Sequence, residues 1–260
     1  MIPKIIHWCW FGRGKVPRTA RRCIRSWKKY LPDYTIKLWN EDNFDVTSCQ
    51  YVKEAYEKRK FAFVTDYVRL YALYTEGGLY MDSDVEVLRQ LERFLELPAF
   101  SGFESENPKS CLTGIMGSEK GGKWVKELLD EYDDRSFIRP DGSLDTTTNV
   151  EYTAQLLAEK GIRLDGREVH LPGYLSLYPR DYFCPKSWDT GEYNITGNTY
   201  TIHHFAASWW TPRQRAIRWT NNHLGEKCGY YVAFFWQPLP VVLMRLYKAL
   251  IRRLKRVVGR

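Results

Sequence analysis

The chain has 260 residues, 44% of them hydrophobic, the size and apolar fraction of an ordinary globular protein built as one α/β domain with an appendage. Its six cysteines show no C-x-x-C or other zinc spacing, no stretch resembles a cleavable signal sequence, and no window approaches the ~18 uninterrupted apolar residues of a membrane span, so free thiols in a reducing cytosol are expected. From Pro238 onward there are seven basic residues and no acidic one, leaving 32 basic against 31 acidic residues elsewhere, so the net charge of +8 belongs to the tail.

Pro3 to Trp10 is a short apolar run rich in β-branched and aromatic residues, punctuated by Phe11-Gly12-Arg13-Gly14, and reads as a buried first strand ending in a loop. His7 within it is a satisfied core histidine or a ligand. Pro17 to Tyr30 reads as a helix with Ile24, Trp27 and the stem of Lys28 on one face. Its Arg18, Arg21, Arg22 and Arg25 form either a solvated face or a phosphate contact. Tyr34 to Trp39 alternates as a second strand, and Asn40 to Asn43 turns the chain. A charged helix over Val52 to Lys60 leads into the most informative stretch.

From Phe61 to Glu76, Ala62, Asp66, Arg69 and Leu73 recur at helical spacing, placing a carboxylate and a guanidinium one turn apart. A second stripe, Phe63, Tyr67, Leu70 and Tyr74, is apolar and expected to face the core. Gly77-Gly78 stops the helix, because glycine takes a positive φ without a Cβ penalty. In the strand that follows, alternation puts Tyr80, Asp82 and Asp84 on one face and Leu79, Met81 and Ser83 on the other. Two neighbouring carboxylates repel unless a cation sits between them, and Mn²⁺ or Mg²⁺ with oxygen ligands is the simplest partner.

Strand is expected to continue over Val85 to Leu88, followed by a short helix over Leu91 to Leu97, a strand over Phe100 to Phe103, a small-residue strand over Thr113 to Ser118, and a helix over Gly122 to Tyr132. Asp133 to Asn149 reads as a polar loop near the site, its threonines and Asn149 candidates for substrate hydroxyls. A helix over Glu151 to Lys160, strand and loop over Val169 to Tyr178, and a loop over Asp181 to Asn198 follow. Thr199 to Trp210 is a strand ending in His203-His204 and then Ser208-Trp209: an imidazole for a borderline metal, a hydroxyl and an indole N–H for phosphate. Alternation favours His203 over His204 as the ligand. Pro238 to Arg260 has one face of Leu243, Leu246, Tyr247, Leu250, Leu254 and Val257 and another of Arg245, Lys248, Arg252, Lys255 and Arg256, the pattern of a helix lying on anionic lipid.

Ala62, Thr65-Asp66, Arg69, Gly77-Gly78, Tyr80, Asp82 and Asp84 together resemble the glycosyltransferases with a sugar-binding region containing the DxD motif, the glycosyltransferase family 32 group of yeast initiating mannosyltransferases and bacterial capsule and lipopolysaccharide enzymes, and more distantly the clostridial glucosylating toxins. Ile6-His7-x-x-Trp10-x-Gly12 and His203-x-x-x-x-Ser208-Trp209 fit the same pattern. The resemblance implies an α/β, glycosyltransferase A-type (Rossmann-like) nucleotide-sugar-binding domain over residues 1–237, with the basic amphipathic helix as residues 238–260. It implies a Mn²⁺ or Mg²⁺ ion on Asp82, Asp84, His203 and Ser208. By the same resemblance Trp10 stacks on the base, Asn40 lies near the nucleotide pocket, and Asp66, Arg69, Tyr80, Asp82, Ser208 and Trp209 line the nucleotide sugar, with Asp66, Arg69, Asp82, Asp84 and Trp209 as the catalytic set. The implied activity is a retaining hexosyltransferase, using a UDP-sugar and a lipid-linked glycan acceptor for bacterial surface polysaccharide, attached peripherally to the cytoplasmic face of the inner membrane. No nucleic-acid partner is expected. The rival readings are a metal-dependent nucleotide-diphosphate phosphohydrolase and a non-catalytic membrane-bound sugar or nucleic-acid binder.

Overall fold

The computed structural model describes residues 1–104, 114–188 and 190–206, with Arg213, Ala216, Ile217 and Thr220. The chain divides into two compact units, Met1–Ala206 and Ala207–Arg260. Ser208, Trp209, the boundary expected at 237 and the amphipathic helix expected over 238–260 all lie outside the described residues.

The expected α/β class is met. The first unit is built on a seven-stranded sheet in the order β2-β1-β3-β6-β5-β8-β7, comprising β1 (Ile5–Cys9), β2 (Thr35–Trp39), β3 (Gly78–Met81), β5 (Ala99–Gly102), β6 (Ile115–Ser118), β7 (Val169–Leu171) and β8 (Leu175–Tyr178). β2, β1 and β3 run parallel. Their crossovers are α1 (Arg18–Tyr30) between the first two, and α2 (Gln50–Glu57) with α3 (Phe61–Glu76) before β3. The three strands therefore end at the same edge of the sheet, with Trp10 following one and Asp82 another. β6 is antiparallel to both β3 and β5 and so separates the parallel trio from the remaining strands.

Side-chain alternation divides the interior between the two faces of the sheet. Leu79 and Met81 join Ile6, Trp27, Phe94 and Phe100 on one face, and Tyr80 joins Trp39, Val68 and Met116 on the other. The double glycine is required sterically: Gly78 has φ +113, and a Cβ there would lie 2.6 Å from the Ile5 carbonyl oxygen.

The stripe expected on α3 packs against the core, and the face expected on α1 is fully met only at Trp27. On α3 the fully buried apolar residues are Val64, Val68, Leu70, Ala72 and Leu73, while Phe63, Tyr67 and Tyr74 are only partly buried. The aromatic stripe rolls to the flank, where Phe63 meets Phe137 and Tyr67 meets Tyr132. On α1 the buried residues are Ala20, Cys23 and Trp27, with Ile24 at the margin and Lys28 exposed. Small residues there bring the helix close enough for the Trp27 indole to donate to the Val85 carbonyl at 2.7 Å. The opposite face carries exposed Arg18, Arg21, Arg22, Arg25, Lys28 and Lys29. Residues 1–32 hold nine basic side chains and no acidic one, so the tail is not the chain's one basic region.

The strand expected to run on through Leu88 is broken. The chain turns over residues 82–84, with the Val85 amide donating to the Asp82 carbonyl at 2.9 Å. β4 (Val85–Val87) then leaves the large sheet to pair antiparallel with β9 (Thr201–His203). A 3-10 turn over Glu92–Phe94 stands where a short helix was expected.

Candidate active site

α3 positions Asp66 and Arg69 on its inner side, 8% and 6% exposed. The Arg69 guanidinium lies 2.9 Å from Asp66 and 3.6 Å from Asp82, and 4.5 Å above the Tyr80 ring. Tyr80 donates its hydroxyl to Asp82 at 2.7 Å. Helix spacing and strand alternation, as read from the sequence, thus bring Asp66, Arg69, Tyr80 and Asp82 together. Asp84 arrives by a different route. It lies beyond the last residue of β3, and the turn swings its carboxylate toward Asp82, where alternation was expected to do so.

The β4–β9 pairing supplies the third group. Val85 sits opposite His203, whose Nε2 lies 3.5 Å from Asp84 and 3.7 Å from Asp82. His204 points away to Glu86, at 2.6 Å, and to Arg22, at 3.1 Å. One ligand atom each from Asp82, Asp84 and His203 falls within a 4.8 Å cluster. Two carboxylates and one imidazole fit Mn²⁺ or Mg²⁺, whose ligand atoms at bonds of about 2.1 Å sit about 3 to 4 Å apart. Phe205 takes a positive φ of 54 and lays its ring 4.3 Å from that of His203; a bulky residue in this region is strained, a feature that collects at functional sites.

Electrostatics set the groups apart. Burial pushes Asp66 up to about 6 despite the Arg69 charge beside it. Burial also opposes ionisation of Asp84, but the His203 imidazolium and the Ala206 amide win and hold it at about 2. His203 is correspondingly raised: burial disfavours its charge, and Asp84 outweighs burial. The Arg69 cation persists in its buried place because Tyr80, Asp82 and Asp66 surround it with oxygens.

Several candidates make bonds of their own within the protein. His7 is fully buried, accepts from the Trp39 indole at its Nδ1 and donates from Nε2 to the Gly77 carbonyl at 2.8 Å, a core role. Trp10 donates its indole N–H to Gly14 at 2.6 Å, which fixes its loop. Asn40 closes a local turn onto Asp42. Asn149 is buried, donating to the Asp66 carbonyl at 2.6 Å and accepting from Tyr132 at 2.7 Å. Thr148 caps α5 (Asn149–Glu159) through a capping box with Glu151, and Thr147 bonds Asp145. This stretch braces α3 through Asn149, while Thr147 and Thr148 bond within the loop and to the start of α5.

The residue missed in the sequence is Glu104, just after β5 and 3.9 Å from His203 Nδ1. Burial raises its carboxyl above the usual range. A glutamate beside Ser105 in a polar run carries no motif that marks it. Asp66, Asp82, Asp84 and Glu104 thus face the Arg69 guanidinium and one imidazole, a negative excess that a divalent cation offsets.

Residues 17–103 match the model of the family described as "Glycosyltransferase sugar-binding region containing DXD motif". Inositol phosphoceramide mannosyltransferase 3 of Schizosaccharomyces pombe is 29% identical over 132 residues, 49% of this chain and 36% of the relative. An uncharacterized glycosyltransferase of Acanthamoeba polyphaga mimivirus is 26% identical over 229 residues, 80% of this chain and 84% of the relative. The chain therefore aligns with about a third of the length of the first and most of the second. The solved apo-form glycosyltransferase GlyE of Streptococcus pneumoniae shares 12% identity at a TM-score of 0.47, covering 90% of this chain and 63% of that one, a likeness on which nothing further rests. The matched span contains α3, the double glycine and both aspartates of the turn, so residues 17–103 are similar to a glycosyltransferase sugar-binding region containing the DXD motif.

Proposed function

We propose that the protein is a metal-dependent, retaining glycosyltransferase that moves a hexosyl group from a nucleoside diphosphate sugar, UDP in preference to GDP, to a hydroxyl of a lipid-linked glycan. The observation that carries this reading is the convergence of Asp82, Asp84 and His203 at the end of β3 beside the buried Asp66–Arg69 pair. The names of the yeast relatives, mannosyltransferases of inositol phosphoceramide, support a hexosyl group and a lipid-borne acceptor. Synthesis of a surface polysaccharide is the setting that the sequence resemblance favours.

Asp82, Asp84 and His203 would hold the cation, which when bound takes up charge developing on the departing diphosphate. Arg69 keeps a second positive charge fixed against Asp66 and Asp82, so little reorganisation is needed as the leaving group gains charge. Tyr80, by donating to Asp82, fixes which carboxylate oxygen is free to ligate. Asp66 is assigned to hydroxyls of the donor, Trp10 to the base, and Ser208 and Trp209 to the metal and diphosphate. No described helix is long and apolar enough to cross a membrane; contact with anionic lipid is assigned to residues 238–260 on their sequence pattern.

The test is transfer and donor hydrolysis across UDP- and GDP-sugars, with Mn²⁺ and with chelator, for the wild type and Asp84→Ala. Transfer should require the cation and vanish in the variant. Full activity of Asp84→Ala overturns the site, and release of nucleotide or monosaccharide with no transfer to any acceptor favours a phosphohydrolase.

A further inference from the structure

His203 presents its two nitrogens to different neighbours. Nε2 faces Asp82 and Asp84, at 3.7 and 3.5 Å, while Nδ1 is buried and has no hydrogen-bond partner. Among the described residues, the carboxylate facing Nδ1 is that of Glu104, with Oε1 at 3.9 Å. An imidazole that ligates through Nε2 must carry its proton on Nδ1, and a buried N–H without an acceptor costs about 1 to 3 kcal/mol.

We infer that Glu104 is a positioning residue, accepting the Nδ1–H of His203 and so holding Nε2 unprotonated toward Asp82 and Asp84. The inference rests on the reading of those three groups as a cation site. Glu104 follows Phe103, whose side chain is buried and whose amide donates to the Tyr178 carbonyl at 3.0 Å. The backbone is thereby anchored immediately before it, and a side-chain adjustment of about 1 Å brings the 3.9 Å approach into hydrogen-bond range. The Phe205 ring packs 4.3 Å from the imidazole, which limits how far the histidine itself can swing. The Cys184 thiol also acts on His203, yet Nδ1 makes no bond of acceptable geometry to it, and sulfur is the weaker acceptor. A carboxylate behind a ligating histidine fixes the tautomer and makes the ligand more basic, and loss of such a partner typically weakens metal binding about 10- to 100-fold.

The test uses the full chain purified in chelator and compares the wild type with Glu104→Gln, Glu104→Ala and Cys184→Ala. Mn²⁺ affinity is read by titration calorimetry, and the hydrogen bonding of the His203 Nδ1–H by ¹⁵N-histidine NMR with diamagnetic Mg²⁺. The chain has five histidines, so a His203→Gln spectrum assigns the signal. Glu104→Ala should weaken Mn²⁺ binding at least about 10-fold and move the Nδ1–H resonance away from its hydrogen-bonded position while melting as the wild type does in chelator. Glu104→Gln keeps an acceptor oxygen and should retain that hydrogen bond with a smaller loss of affinity, and Cys184→Ala should change neither. A wild type that binds Mn²⁺, with Glu104→Ala matching it in affinity and Nδ1–H resonance, overturns the inference and leaves the cation site standing. Weakened affinity with an unchanged Nδ1–H resonance reduces Glu104 to a charge effect and also overturns it. A wild type that binds no Mn²⁺ and whose His203 does not respond to Mg²⁺ overturns both readings.

Discussion

Replacing Asp66 with Asn should shift the stability of the cation-free protein in the variant's favour as pH rises from acid to neutral. Asp66 is pushed from 3.8 up to about 6 by burial, against the Arg69 charge that favours its ionised form. An acid whose folded pKa exceeds its unfolded one binds its proton more tightly when folded. Its contribution to stability is therefore present below pH 3.8 and is lost as pH rises through about 6. A gap of about two units corresponds to about 3 kcal/mol, of which about 2.5 kcal/mol is expressed between pH 4 and pH 7.5. Asparagine has no proton to exchange. The stability of Asp66→Asn minus that of the wild type should therefore rise by about 2.5 kcal/mol over that interval, whatever constant offset arises from its bond to Arg69. Urea denaturation in chelator at four or five pH values measures the difference directly. A difference that stays flat, or that falls with pH, refutes the reasoning and means the Arg69 pairing outweighs desolvation. The same variant should lose transfer, which marks the ionised carboxylate as a group kept at the expense of stability.

Other changes probe the frame around the site. Gly78→Ala places a Cβ 2.6 Å from the Ile5 carbonyl at φ +113, so it should cost about 3 kcal/mol or more and lower the melting temperature by about 6 to 12 °C; an unchanged melting curve would contradict the close approach of β3 to β1. Asp145 is buried, which works against its charge, but bonds from Arg135 and Thr147 hold it down to about 2. Its contribution of about 2 kcal/mol should be complete above pH 4 and disappear as pH falls toward 2, and Arg135→Gln should flatten that acid limb in denaturation experiments. Asn149→Ala strands the Tyr132 hydroxyl and removes a donor to the Asp66 carbonyl, for a loss of about 1 to 3 kcal/mol in chemical denaturation.

The span from α3 to Asp82 is legible in the sequence because every step in it is local. Helical spacing pairs Asp66 with Arg69, glycine marks a backbone that no other residue tolerates, and alternation aligns Tyr80 with Asp82. The same local rules mislead just beyond. The turn over residues 82–84 has no glycine or proline to announce it, so Asp84 was expected to continue a strand that has already ended. His203 was chosen over His204 by alternation, and β9 does turn the two imidazoles to opposite sides. Glu104 meets His203 only through the packing of β5 near β9, a distance in sequence that no periodicity encodes. The α3 stripe does pack against the core, Leu70 fully buried and Phe63, Tyr67 and Tyr74 in part; what periodicity did not show is that small and branched residues are buried deepest and the large aromatics lie at the flanks.

The two-stranded sheet joining Val85 to His203 has a temporal consequence. Glu86 and His204, which touch across it, are 118 residues apart in the chain, and closing a loop of that length costs about 4 kcal/mol of entropy beyond a constant. A polypeptide emerging from the ribosome can build the parallel trio of strands early, since those segments are near neighbours in sequence, yet it lacks the imidazole that completes the cluster until the long segment after the aspartates has been made. Chains halted between them would carry the aspartates without the histidine.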